Sequence, residues 1–420
     1  MGVHDDRPAE RISRVIFEYA AKISRERDIT KLITLNADLA RDLVGADRCS
    51  LWLLDESTDE LWTKVAQGLG PTRIPAGQGL VGLCVGTNES IIVNDTASDE
   101  HFLRRIDTGS GYRTESVLAV PLRVDGRVIG ALQALNKPGG FSQADSELLG
   151  LMASYSASEI HAERLRQEAE AARLLRRELD IARDVQTRLL PQEFDPVAGI
   201  EYAGFCRAAR SVGGDYYDFL ELPGGLFGFT VGDVSGKGVP AAVLMAGIHT
   251  ALRAQLLREP LPVSKLMNDL NAVIYKSSSQ ERYTTLFCGV FDAERSTLSY
   301  VSAGHVPPMV LRGGPSAHIE RLSGSGYPAG LLPFATYEER TAGVGPGDLV
   351  ICFSDGISDA VNAQGEMWED EAIKAFLRTC AQAPVEEITK KLIEAVDGYS
   401  AGMEQFDDMT VVALRLTGRS

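Results

Sequence analysis

Apolar residues recur every three to four positions between residues 9 and 44 (Ile12, Ile16, Tyr19, Ile23, then Ile29, Leu32, Ile33, Leu39 and Leu43), which predicts two consecutive helices. The period then shortens. Residues 48–54, 60–66, 90–94, 116–123 and 127–136 are short alternating or fully apolar runs bounded by turn residues, and they predict strands, the last two joined by a turn at 124–126. Helical spacing returns over 141–163. Residues 158–190, rich in Ala, Glu, Leu and Arg with no Gly or Pro before Pro191, predict one long helix. Farther on, residues 226–231, 349–353 and 410–416 predict strands, and residues 240–258, with Pro240 at the start, predict a core-packing helix. A heptad reading of the long helix puts Leu165, Ala172, Leu179 and Gln186 at one seam position and Glu168, Leu175, Ala182 and Leu189 at the other. That mixed seam predicts an adjustable parallel homodimer.

A chain of 420 residues that is 44% hydrophobic can bury more than one core, so two or three domains are expected. The net charge of −16 and the absence of a basic run exclude an extended nucleic-acid surface. Six scattered cysteines, at 49, 84, 206, 288, 352 and 380, form no Cys-x-x-Cys pair and predict free thiols in a reducing compartment. The first residues do not read as a signal peptide, and no stretch reaches 18 consecutive apolar residues. The expectation is a cytoplasmic protein without membrane insertion.

The candidate chemistry lies in aspartates placed beside the predicted strands: Asp215 in VGGDYYD, Asp233 in GDVSGKG, Asp355 in SDGISD, and Asp407 and Asp408 in DDMT. Gathering carboxylates costs several kcal/mol unless cations neutralise them. Hard oxygen donors without a Cys/His cluster favour magnesium or manganese over zinc. The Gly232–Gly238 stretch is not a nucleotide-binding P-loop, because only three residues separate Gly232 from Gly236 and Gly238 follows the lysine. Lys237 reads as a solvated or substrate-facing charge.

The ordered set VGGDYYD, GDVSGKGVPAA, SAGHVPPM, SDGISD and DDMT, over about the last 220 residues, resembles the metal-dependent (PPM) protein serine/threonine phosphatases of the bacterial SpoIIE/RsbU type. The resemblance implies an αββα sandwich holding two Mn²⁺ or Mg²⁺ ions. It implies metal contacts from Asp233, the Val234 carbonyl and Asp355, with Asp407 as the last ligand and Asp408 supporting it or taking its place. Asp215 matches an acid that holds water at the site. Asp215, Asp233, Asp355 and Asp407 are thus the expected catalytic acids. Ser235 stands where eukaryotic relatives carry a histidine general acid, so protonation of the leaving group is unassigned. Arg210 and His305 are candidate substrate contacts. The implied substrate is the phosphoserine or phosphothreonine of a STAS-type anti-sigma-factor antagonist, hydrolysed without a covalent phospho-enzyme by water activated between two metals.

The first part of the chain, with its ADRCSLWLL strand, GQGLVG helix start and VPLRVDGRVIGALQ hairpin, resembles a GAF domain. Asn136, Lys137, Phe141 and Asp145 resemble the signature of cyclic-nucleotide-binding GAF domains, with Ser146 in place of its final Glu, and make Lys137 and Asp145 the candidate ligand contacts. The bland alternative is a hairpin end followed by a helix capped near Ser142 or Asp145. The expected α+β organisation is therefore a tail (1–9), a GAF sensor with an antiparallel sheet and helices (10–162), a coiled-coil linker (163–190) and a phosphatase domain (191–420). A catalytically silent scaffold and a second-messenger-binding module are the competing functional classes.

Overall fold

The computed structural model describes residues 8–63, 72–104, 111–256, 262–278, 282–313, 318–324 and 326–417. The chain divides into two compact units, residues 1–174 and 175–420, with the division inside the helix Gln143–Thr187.

The first unit is built on a six-stranded antiparallel sheet of β1 (Arg48–Asp55), β2 (Glu60–Thr63), β3 (Thr72–Pro75), β4 (Ile91–Val93), β5 (Val117–Val124) and β6 (Arg127–Leu135), in the order β3-β2-β1-β6-β5-β4. Alternation along β1 sends Cys49, Leu51 and Leu53 to one face and Trp52 to the other. The first face packs on the helices Pro8–Ile23, Ile29–Val44 and the start of Gln143–Thr187, and the second on the helix Gly79–Thr87. The helical start at Pro8 shortens the expected tail, whose residues 1–7 lie outside the described part, as do residues 64–66 of the expected second strand.

The second unit is a four-layer αββα sandwich. One five-stranded antiparallel sheet contains β8 (Tyr216–Leu222), β9 (Leu226–Val234), β10 (Thr284–Asp292), β11 (Thr297–Ala303) and β14 (Arg340–Gly343), in the order β14-β11-β10-β9-β8. The other contains β7 (Ile200–Arg207), β12 (Met309–Leu311), β13 (Ile319–Arg321), β15 (Leu349–Phe353) and β16 (Met409–Leu416), in the order β13-β12-β15-β16-β7. Between the sheets lies a dry layer that includes Phe227, Phe229, Phe287 and Tyr300 against Val350, Cys352, Val412 and Leu414. The outer face of the first sheet is covered by the helices Val239–Leu256 and Val263–Ser277, and that of the second by Asp370–Cys380 and Val385–Tyr399. The helix expected over 240–258 is Val239–Leu256, its last two expected residues falling outside the described part.

The two helical segments expected around residue 160 are one helix of 45 residues. Its start is a reciprocal cap: Ser142 N–H and Oγ–H both donate to Asp145 Oδ2 at 2.8 Å, and Asp145 N–H donates back to Ser142 Oγ at 3.3 Å. Along it the expected seam divides: Leu165 and Leu175 are exposed, at 51% and 58%, whereas Leu179, Ala182 and Gln186 near the far end are half-buried and Gln186 bonds to the sandwich unit. Leu174, Ile181 and Val185, outside the seam, are each 58% exposed.

Candidate active site

Four chain segments deliver acids to one edge of the sandwich. β9 ends at Val234, just beyond Asp233, and its pairing with β10 is extended by Thr284 Oγ1–H donating to the Asp233 carbonyl at 2.9 Å. β8 begins one residue after Asp215. In the opposite sheet, β15 stops at Phe353, and Asp355 opens a short helix (Asp355–Ser358), while β16 begins immediately after Asp408. Ser354 ties the two sheets together at this edge. Its hydroxyl donates to Asp215 Oδ2 at 2.7 Å and accepts from Thr410 N–H at 2.9 Å.

The neighbouring acids Asp407 and Asp408 do different work. Asp408 accepts the backbone N–H groups of Ala209 and Gly214, both at 2.7 Å, so its carboxylate braces the loop that carries Asp215. A Cβ on Gly213 would stand 2.2 Å from Asp408 Oδ2, and one on Gly356 2.0 Å from the Asp408 carbonyl, which is why glycines flank it. Asp407 instead faces outward, with Oδ2 3.0 Å from the Lys237 ammonium. Asp407 takes only the neighbouring Asp408 N–H, on Oδ1 at 2.9 Å, and so leaves Oδ2 uncommitted to backbone.

The arrangement is electrostatically incomplete. Burial, then Asp233 and Asp408, push the Asp215 carboxyl well above its usual range, and Asp215 Oδ1 is buried with no donor in hydrogen-bond geometry. Burial followed by Asp355, Asp407 and Asp408 raises Asp233 to about 7. Asp355 is also raised, by burial and by Asp407 and Asp359. Among the described residues, no three His, Cys, Asp or Glu groups close into a metal cage as they stand. The acids feel one another's charge, which Lys237 offsets at the rim beside Asp407 and Asp355, and oxygen-only donors of this kind suit a hard divalent ion.

The linker helix reaches this edge. Gln186 Nε2–H donates to the Gly213 carbonyl at 2.7 Å while Gly213 N–H donates to Gln186 Oε1 at 3.1 Å, and Arg183 Nε–H donates to the Ser211 carbonyl at 2.8 Å. A groove of about 600 Å³ runs beside this clamp, with Arg183, Arg210 and Asp215 among its lining residues. The sequence pattern put Gln186 on a dimer seam. Nothing in the spacing marked it, or Ser354, as a partner of the acid cluster.

Comparison with known proteins separates the two units. Residues 28–160 match the GAF domain model, and residues 223–417 match the model of Stage II sporulation protein E (SpoIIE). The chain joins a GAF domain to a SpoIIE-type PP2C phosphatase domain. Similar proteins include Protein IcfG of Synechocystis sp., 28% identical over 57% of this chain and 41% of that one. Phosphoserine phosphatase RsbU of Bacillus subtilis is 25% identical over 57% of this chain and 70% of its own length. The chain thus spans about two-fifths of the first relative. The SiaA-PP2C domain of Pseudomonas aeruginosa shares the fold of the SpoIIE-type unit, at 21% identity and a TM-score of 0.52, over 59% of this chain and 99% of that one.

Two expected contacts fall elsewhere. In the SpoIIE-type domain His305 is 4% exposed, its Nδ1 is 2.9 Å from Thr285 Oγ1, and burial lowers its pKa to about 4. That withdraws it from substrate and makes it a neutral support for the sheet edge. In the GAF domain Lys137 and Asp145 face each other: Lys137 Nζ lies 2.5 Å from Asp145 Oδ1, and the other carboxylate oxygen is taken by Ser142. Lys137 and Asp145 therefore close a hairpin-to-helix junction and are already partnered, without a ligand. Arg210, by contrast, is exposed on the wall of the groove that contains Asp215. Among the described residues no helix is long and apolar enough to cross a membrane.

Proposed function

We propose that this chain is a metal-dependent phosphatase that removes phosphate from phosphoserine or phosphothreonine of a protein, with a STAS-type anti-sigma-factor antagonist as its substrate and the GAF domain as its regulator. The observation that carries this reading is the carboxylate cluster at the sandwich edge, buried at Asp215 and Asp408 and open to solvent at Asp355, with Asp233 raised to about 7 by burial and its neighbours and one oxygen of Asp215 unpaired. The donor set fits two divalent ions held by Asp233, the Val234 carbonyl, Asp355 and Asp407. When bound, Mn²⁺ or Mg²⁺ supplies the positive charge that lets water near neutral pH attack a phosphate dianion in line.

The chain's own residues do the positioning. Ser354 fixes one oxygen of Asp215 and leaves the other free to accept a hydrogen bond from the attacking water. Asp408 holds the backbone of Ala209 and Gly214, and through it the groove wall on which Arg210 can meet the phosphate. Ser235 Oγ accepts the Tyr283 N–H at 3.0 Å and so supports the strand pair; with no histidine at that position, leaving-group protonation comes from water in this reading. The exposed apolar residues Leu165, Leu174, Leu175, Ile181 and Val185, of which Leu165 and Leu175 lie on the heptad seam, support a homodimer through the linker. The chain's net charge of −16 supports a protein substrate over nucleic acid.

The test is hydrolysis of p-nitrophenyl phosphate and of a phosphoserine-bearing STAS protein by the full chain. Activity should require Mn²⁺ or Mg²⁺ and stop with EDTA. Turnover that persists in EDTA, or none with either substrate, would reject the reading.

A further inference from the structure

A lysine meets the acid cluster at its rim. Lys237 Nζ lies 3.0 Å from Asp407 Oδ2, donates to the Phe406 carbonyl at 2.5 Å, and stands 4.1 Å above the centre of the Phe406 ring. The lysine and Asp407 side chains are 29% and 32% exposed, and Phe406 is 75% exposed, so this contact is open to water. An ion pair in such a setting is worth at most about 1 kcal/mol and is readily exchanged. The backbone permits the exchange. Lys237 is flanked by Gly236 and Gly238, both in the left-handed region (φ 92° and 78°), with no atom within 4 Å of where either Cβ would lie.

Resting on the phosphatase reading above, we propose that Lys237 binds the substrate phosphate, and that in the metal-free protein its ammonium stands on Asp407 as a substitute cation. A divalent ion on the Asp407 carboxylate and an ammonium on the same group repel each other, so the lysine is displaced when that ion binds. Four residues past Asp233 and between two glycines, it remains at the mouth of the cluster, where a phosphate dianion is the strongest acceptor that can arrive. In a protein of net charge −16, a cation kept at the rim and freed by metal offsets repulsion of a dianionic substrate where it matters. The competing role is a fixed latch, in which the carbonyl and ring of Phe406 hold Lys237 permanently against the loop.

Calorimetry on the full chain separates these roles, using Mn²⁺ titrated into EDTA-stripped protein and inorganic phosphate titrated into the Mn²⁺-saturated form. Lys237→Met keeps the apolar stem, and should bind Mn²⁺ about two- to fivefold more tightly and phosphate about tenfold more weakly or worse. Lys237→Gln, which can still donate to the Phe406 carbonyl, should reproduce both shifts and serves if the Met variant does not fold. Phosphate affinity unchanged in the neutral variants, or weaker Mn²⁺ binding, overturns the proposal in favour of the latch. A wild-type chain that binds no Mn²⁺ rejects the phosphatase reading itself, together with this inference. A wild type that binds Mn²⁺ and hydrolyses p-nitrophenyl phosphate, beside a Lys237→Met variant that holds phosphate equally well, rejects the lysine's role alone.

Discussion

Asp145 in the GAF domain and Asp233 in the SpoIIE-type domain are both largely withdrawn from water beside a sheet, and they end in opposite electrostatic states. Burial alone would raise Asp145, but the Lys137 ammonium and the Ser142 N–H and hydroxyl outweigh it, and its pKa is lowered. Asp233 has burial and three further carboxylates acting in one direction and is raised to about 7. The first acid is paired within its own domain, and the second is the one that the proposed function gives to a cation. The pH consequences are opposite as well. Asp145, depressed on folding, contributes stability above the usual carboxylate pKa that is lost as pH falls. Asp233 holds a proton in the folded, metal-free chain that the unfolded chain has released, so stability falls as pH rises from the ordinary value of 3.8 to about 7.

The largest effect should come from dismantling the incomplete cluster. Asp233→Asn and Asp355→Asn are each expected to lower kcat on p-nitrophenyl phosphate by about a thousandfold or more, as when a two-metal site loses a ligand. Near-normal turnover in either purified variant would erase the distinction between the two regions. Next in size is the clamp. Gln186→Ala leaves both polar groups of Gly213 without their partner, and should reduce Mn²⁺-dependent kcat by about tenfold through the loop that carries Asp215. Unchanged kinetics would mean that the linker only abuts the loop.

Much of this was legible in the sequence. Period-2 and period-3.6 patterns located strands and helices in both domains, and the Asp motifs marked the strand ends that meet at the site. What stayed hidden depends on partners distant in sequence. Asp408 braces Ala209 and Gly214 from about 200 residues away, and Ser354 reaches Asp215 across 139 positions, so no local spacing records either bond. Gln186 was visible as a polar residue on a helix, but whether it faced a second helix or the sandwich depended on the fold. The strands β7, β8 and β10 to β14 of the sandwich also escaped the pattern reading, as did the short β3, in which four residues ending in Pro75 carry too little alternation to count.

Two smaller effects sharpen the contrast. Lys137→Met should cost the GAF domain about 1–3 kcal/mol in denaturant melts, by leaving Asp145 partly buried without its cation, and should leave phosphatase chemistry intact. Cyclic nucleotides should not shift the wild-type melt, and a clear shift would restore a ligand role to that junction. Ser235→Ala should change kcat on a phosphoserine substrate by less than about tenfold, below the usual contribution of a general acid. A hundredfold loss confined to poor leaving groups would identify Ser235 as the acid.

Calorimetric titration of Mn²⁺ into the EDTA-stripped chain at about pH 6 and about pH 8 tests most directly whether the SpoIIE-type cluster is an acid set awaiting cations. Binding should tighten with pH, release a proton at the lower pH because Asp233 is still protonated there, and disappear or weaken sharply in Asp233→Asn. Mn²⁺ binding that is indifferent to pH and unaltered by Asp233→Asn, or no binding at all, would contradict the account.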